Sequence, residues 1–191
     1  MLQDAIDRDA AMINYVTWND WPEGHHLAPE VNHNFAPSIL LRHFKAKWLG
    51  QPEPFADLAM LFFKKHPHDI APENSITIDV KSSRDQPAAE DVIQAVTILT
   101  EPARLVLNGL DQGAVSEGLQ ITDLPRPESD GPLKLVINRN GKKISEVSTP
   151  IGITSNPHRL DRMTYSISSR FREEFENIFG TEAEPPISIE P

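Results

Sequence analysis

The amino-acid sequence predicts an α+β fold: helices at the start, a mixed and mostly antiparallel sheet of about five strands with one embedded helix, and a long C-terminal helix. Three observations predict it. Apolar residues recur at helical spacing before residue 66 and again after residue 156. From Ser75 the period falls to two. Asn140-Gly141 stands between two strand-like runs, and this pair favours a type I′ hairpin because both residues tolerate positive φ.

In chain order, Leu2, Ile6, Ile13 and Val16 with acids between them mark a short helix within residues 1–16. Thr17 to Pro37 reads as a loop by its punctuation, and it carries Trp18, Trp21, His25, His26 and His33. Ser38 can cap a helix that runs from Ile39 to Leu49 and stops at Gly50, with Leu40, Phe44 and Trp48 on one face. Phe55 to Lys65 is apolar nearly all round and predicts a buried helix, with Lys64 and Lys65 at its C-terminal dipole. Ile76, Ile78 and Val80 alternate with Thr77, Asp79 and Lys81, a strand pattern. Asp85 and Pro87 open a helix with Val92, Ile93, Val96 and Leu99 on one side. Ala103 to Leu107 and Gly118 to Leu124 read as further strands. The acidic linker from Pro125 to Pro132 leads to the hairpin 133–148, and a helix from Pro157 carries Leu160, Met163, Ile167, Phe171, Phe175 and Ile178 to its stop at Gly180. Residues 1–180 thus form one expected domain, with 1–36 an acidic, loop-rich N-terminal segment. Residues 181–191, three acids and three prolines without a base, form an expected flexible tail.

Composition narrows the function. Eighteen basic residues against 28 acidic ones leave a net charge of −10, and zero cysteines exclude disulfides, cysteine-ligated metals and cysteine nucleophiles. The longest apolar run is roughly six residues, far below the ~20 needed to cross a bilayer. Met1 to Asp9 is too acidic for a secretory signal, so the expectation is a cytoplasmic protein without a membrane partner. No Gly-x-Ser-x-Gly, Gly-x-x-x-x-Gly-Lys or Gly-x-Gly-x-x-Gly pattern occurs, which argues against serine hydrolysis, nucleotide hydrolysis and dinucleotide redox chemistry.

Ligand-type side chains are densest between His66 and Lys81. Asp69, followed ten residues on by Asp79-Val80-Lys81 on a strand, resembles the PD-(D/E)xK nuclease superfamily. That resemblance implies that Asp69 and Asp79 hold Mg²⁺ while Lys81, on the same strand face as Asp79, helps activate the attacking water on a nucleic acid. Glu73 lies between the two acids and could assist. His66-Pro67-His68 with Asp79 also resembles the His-x-His-x10-Asp zinc spacing of JAMM metalloproteases. The remaining histidines, His25, His26, His33, His43 and His158, share no helical ligand spacing and would meet a metal only through the tertiary fold.

Interface chemistry recurs more often than catalytic chemistry. Arg159, Arg162, Arg170 and Arg172 flank the apolar line of the C-terminal helix, and Trp18 and Trp21 stand in the long loop. The leading expectation is a non-catalytic protein-binding or assembly protein, a complex subunit or an inhibitor acting through its surface. Trp18, Trp21, Arg162, Arg170, Phe171 and Phe175 are its expected contact residues. It needs no cofactor, its partner is a protein with a basic surface, and homo-oligomerisation stays open. The Mg²⁺-dependent nuclease is the alternative, because an acidic chain lacks the basic surface that duplex binding normally uses.

Overall fold

Two four-stranded antiparallel sheets and a layer of helices make up the computed structural model, which describes residues 2–15, 19–20, 25–72, 91–161 and 163–182. The helices are α1 (Leu2–Asp7), α2 (Ala36–Trp48) and α3 (Phe171–Phe179). The strands are β1 (Asn19–Asp20), β2 (His25–His26), β3 (Leu58–Lys64), β4 (Ile93–Leu99), β5 (Ala103–Leu107), β6 (Leu110–Val115), β7 (Gly118–Leu124), β8 (Lys134–Arg139), β9 (Lys142–Ser148) and β10 (Thr164–Ser168). The first sheet has the order β10-β3-β4-β7 and the second β6-β5-β8-β9; β1 and β2 pair with each other. The α+β class is as expected, but the strands divide into two sheets instead of forming one.

The first sheet is covered on both faces. Ala59, Leu61 and Phe63 of β3, with Ile93, Ala95 and Leu99 of β4, point toward Leu105, Leu107, Leu135 and Ile137 of the second sheet. Leu58 and Met60, with Val96 and Ile98, point the other way, toward Phe35, Ala36 and Ile39 of the α2 region and Phe175 of α3. A strand buried on both faces has no polar side to alternate with, so it reads as a continuous apolar run.

Three predicted helices change accordingly. Phe55 to Lys65 contains β3, a central strand, although Leu, Ala and Met favour helix; burial on both faces outweighs that weak propensity. Val92 to Leu99 contains β4, whose Ile93, Val96, Thr97 and Ile98 are β-branched and suit a pleated sheet. The predicted helix from Pro157 to Gly180 is helical only in α3. Tyr165 and Ile167 instead alternate inward along β10, which pairs with β3. The four-residue step from Ile167 to Phe171 to Phe175 imitates one helix across a strand–turn–helix junction. The predicted strand 76–80 lies outside the described residues.

The hairpin forms as expected. Asn140 (φ 51°) and Gly141 (φ 74°) turn β8 into β9. Asn108-Gly109 repeats the device between β5 and β6. Arg139 then locks the sheets together, donating to both carboxylate oxygens of Asp57 at 2.8 and 3.0 Å, while Asp57 also accepts from the Thr100 amide and hydroxyl. These bonds, that from Arg139 foremost, hold the Asp57 carboxyl below the usual carboxylate range.

Candidate functional site at the corner of α2 and β7

Buried titratable groups gather first at the C-terminal end of β3. Tyr165 donates its hydroxyl to Asp161 at 2.7 Å, and Lys65 lies 3.2 Å from the same carboxylate oxygen and 4.4 Å from the Tyr165 ring centre. The Asp161 amide donates to His66 Nε2 at 3.0 Å, which places the ring hydrogen on Nδ1, where it is donated to the Pro67 carbonyl. Burial pushes the Asp161 carboxyl up, but bonds from Tyr165, the Met163 amide and Lys65 bring it below its ordinary value. Arg126 closes the same end by donating to the carbonyls of Lys64, Lys65 and Thr154. Each of these groups is engaged by another, so the cluster acts as a clasp between strand ends.

The second concentration of polar and apolar groups lies beside α2. The buried stripe of this helix is Ala36, Ile39, His43 and Ala46, not the Leu40, Phe44 and Trp48 line that the sequence makes conspicuous. His43 is 6% exposed. Its Nδ1 donates to Glu53 at 2.6 Å, while Nε2 is buried and, with Thr97 Oγ1, is one of two buried side-chain polar atoms lacking a partner among the described residues. An orphaned polar atom of this kind costs roughly 1–3 kcal/mol, which makes it a marker worth following.

His43 lines a groove of about 580 Å³ whose walls are Phe44 and Lys47 of α2, Gln51 and Glu53 after it, and Gly118, Leu119 and Ile121 of β7. A smaller hollow of about 260 Å³ lies on the other side of Phe44, between Leu41 and Trp48 of α2 and Leu2, Ile13 and Tyr15 of the N-terminal segment. That segment is tied down by Lys47, which donates to Gln3 at 2.6 Å, and by Trp48, which donates to the Ala10 carbonyl at 3.2 Å.

The groove exists because the helix layer stops short of β7. Leu119 and Ile121 sit opposite Ile98 and Val96, on the face that the helices cover over β4. Ile121 is nevertheless 64% exposed. Among the described residues β7 has a strand on one side only, so its outer edge is a row of backbone donors and acceptors beside an apolar trough.

The other three edges of the two four-stranded sheets are managed. On β10, the Ser166 amide donates to the Asn32 carbonyl at 2.7 Å and Asn34 donates to the Ser166 carbonyl at 2.7 Å, so residues 32–34 lie against that edge. β9 carries Lys142, Lys143 and Glu146. β6 has a register shift against β5, and Arg104 pairs with its Asp111. β7 contains neither lysine nor proline, keeps an unbroken register with β4, and has one charged residue, Asp123, which accepts from Gln94 at 2.9 Å.

The expected site residues fall elsewhere. Asp69 is exposed, whereas Glu73, Asp79 and Lys81 lie outside the described residues, as do Trp18, Trp21 and Arg162. No group of three or more histidine and acidic side chains suited to a metal occurs among the described residues. Arg170 pairs with Glu173 and donates to the Ala56 carbonyl at 3.2 Å. Phe171 is part-buried, 5.6 Å from Phe35 and 6.1 Å from Phe175 between ring centres, and Phe175 is buried beneath α3, so these two rings are taken up by packing within the chain. The sequence marks His43 only as one of several dispersed histidines and gives no sign of Glu53. The available signal was a histidine at the i+4 position from Ile39, in register with the buried stripe.

Comparison with protein-family models, with curated proteins and with solved structures found no match, so the chemistry of this corner rests on its geometry.

Proposed function

We propose that this is a non-catalytic binding or assembly protein that works through its exterior, and that the α2–β7 corner is its contact face. The observation that carries the reading is the contrast among the edges of the two four-stranded sheets: three are blunted by covering backbone, charge or irregular register, while β7 keeps unbroken register, is nearly uncharged and is set beside an apolar groove. Long, flat edges invite pairing with another chain, and soluble proteins normally block them. An edge that no other described residue pairs with, beside a concave apolar surface, is therefore read as one that is used. The inward-tied clasp at Asp161 and Tyr165 supports a structural use for the buried ionisable groups.

Native cross-linking tests the reading with wild type and Ile121→Lys side by side. Complexes that wild type forms and that Ile121→Lys loses are the expected result. A strictly monomeric wild type that forms no complex, or complexes indifferent to Ile121, would overturn it.

A further inference from the structure

We infer that the occupant of this corner is an extended, basic segment of a partner protein that adds to β7 as a fifth strand of the first sheet, an inference that rests on the surface-binding reading above. Backbone complementarity selects an extended occupant, because β7 keeps continuous register from Gly118 to Leu124 and only another strand satisfies a whole row of alternating amides and carbonyls. The groove then selects its side chains. Phe44, Leu119 and Ile121 would contact apolar residues that point to the helix side of the added strand, at every second position.

Charge selects the sign of the remaining positions. Glu117 and Asp123 mark the two ends of β7 and Glu53 stands in the groove wall, whereas the one cation there, Lys47, is already engaged by Gln3. The chain as a whole carries −10. Lysine or arginine at the polar positions of the incoming strand, which point to the sheet face away from the groove, meets this net negative charge favourably. A second copy of the chain would instead bring its own acidic edge and its own −10, so self-pairing is disfavoured.

The experiment uses a random decapeptide library displayed on phage, selected against the immobilised full chain, with Ile121→Lys and Leu110→Lys carried in parallel. Both positions are exposed, at 64% and 69%, so both variants fold, which circular dichroism checks. The expected result is enrichment of peptides that alternate apolar and polar residues with lysine or arginine at the polar positions. A synthetic peptide from that pool binds wild type and Leu110→Lys alike, loses about tenfold or more in affinity on Ile121→Lys, weakens with added salt, and slows hydrogen exchange along β7. Absence of alternating basic peptides overturns the inference, as does binding that ignores Ile121.

The failures separate. Enriched peptides with helical spacing, or with acidic polar positions, remove the basic strand and leave the corner as a binding face. Dimers seen by light scattering and abolished by Ile121→Lys assign the edge to a second copy. No enriched peptide together with no complex in cross-linking removes both readings.

Discussion

Tyr165, Asp161 and Lys65 show how single residues couple this fold to pH. Asp161 and Asp57 both sit below the ordinary carboxylate value, so the stability they contribute is present above the unfolded aspartate value of about 4 and is lost as pH falls through the lower folded values. Burial raises the Tyr165 phenol, and Lys65 is also raised, because its contacts with Tyr165 and Asp161 outweigh its own burial. Their contribution is complete below about pH 10 and disappears as pH rises through the folded values. Tyr165→Phe should cost about 1 kcal/mol at neutral pH. It should also make the acid limb of a thermal-melting profile shallower, because Asp161 then loses one of the bonds that lower it. An unchanged acid limb would mean that Asp161 is held by its other partners alone. None of this was legible in the sequence: Lys65, Asp161 and Tyr165 meet only because β10 lies beside β3.

At the scale of elements, turns were easier to read than the strands they join. Asn140-Gly141 announces its conformation because both residues accept positive φ, and the structure uses them that way. Gly152 is a different case, invisible in sequence, where a Cβ atom would lie 2.7 Å from the Gly131 carbonyl carbon. The backbones at 131 and 153 bond reciprocally there at 2.9 Å and cannot easily yield. Gly152→Ala should therefore destabilise by about 1–3 kcal/mol, measured by urea unfolding, as overpacking of a close contact does. The helices expected at Phe55 to Lys65 and from Asp85 through Leu99 gave way to strands for one reason: in a short, mostly apolar run the spacing of apolar residues fits a buried strand as well as a helix, and only its neighbours decide whether it coils or extends. The α2–β7 corner was hidden likewise. Phe44 and Leu119 look like core residues in sequence, and Ile121 stands open because the helix layer ends one strand early.

For the whole molecule, the first sheet is the shared wall of two cores, and that sharing is testable. Met60 and Leu61 are adjacent in β3 and both fully buried, yet Met60 faces the helices and Leu61 the second sheet. Met60→Ala and Leu61→Ala should each cost about 2–5 kcal/mol by leaving a cavity. Both should lower the midpoint of a single urea transition, because neither core can open without its common sheet. A variant that splits the transition in two would show that the layers unfold separately.

By itself the sequence determined the acidic balance, the absence of any cysteine chemistry, the α+β class, a helix expected at 39–49 that the structure places at 36–48 without the Ser38 cap, and the Asn140-Gly141 hairpin, because each depends on composition or on residues within a few positions of one another. Tertiary structure decided that the main strands divide into two sheets, that the two mostly apolar runs extend, that His43 and Glu53 pair beside a groove, and that β7 is the edge left uncovered among the described residues. The physical reason is that burial and edge pairing are properties of a surface shared by segments far apart in the chain. Local pattern records how a segment could fold, and only its packing partners select which of those ways wins.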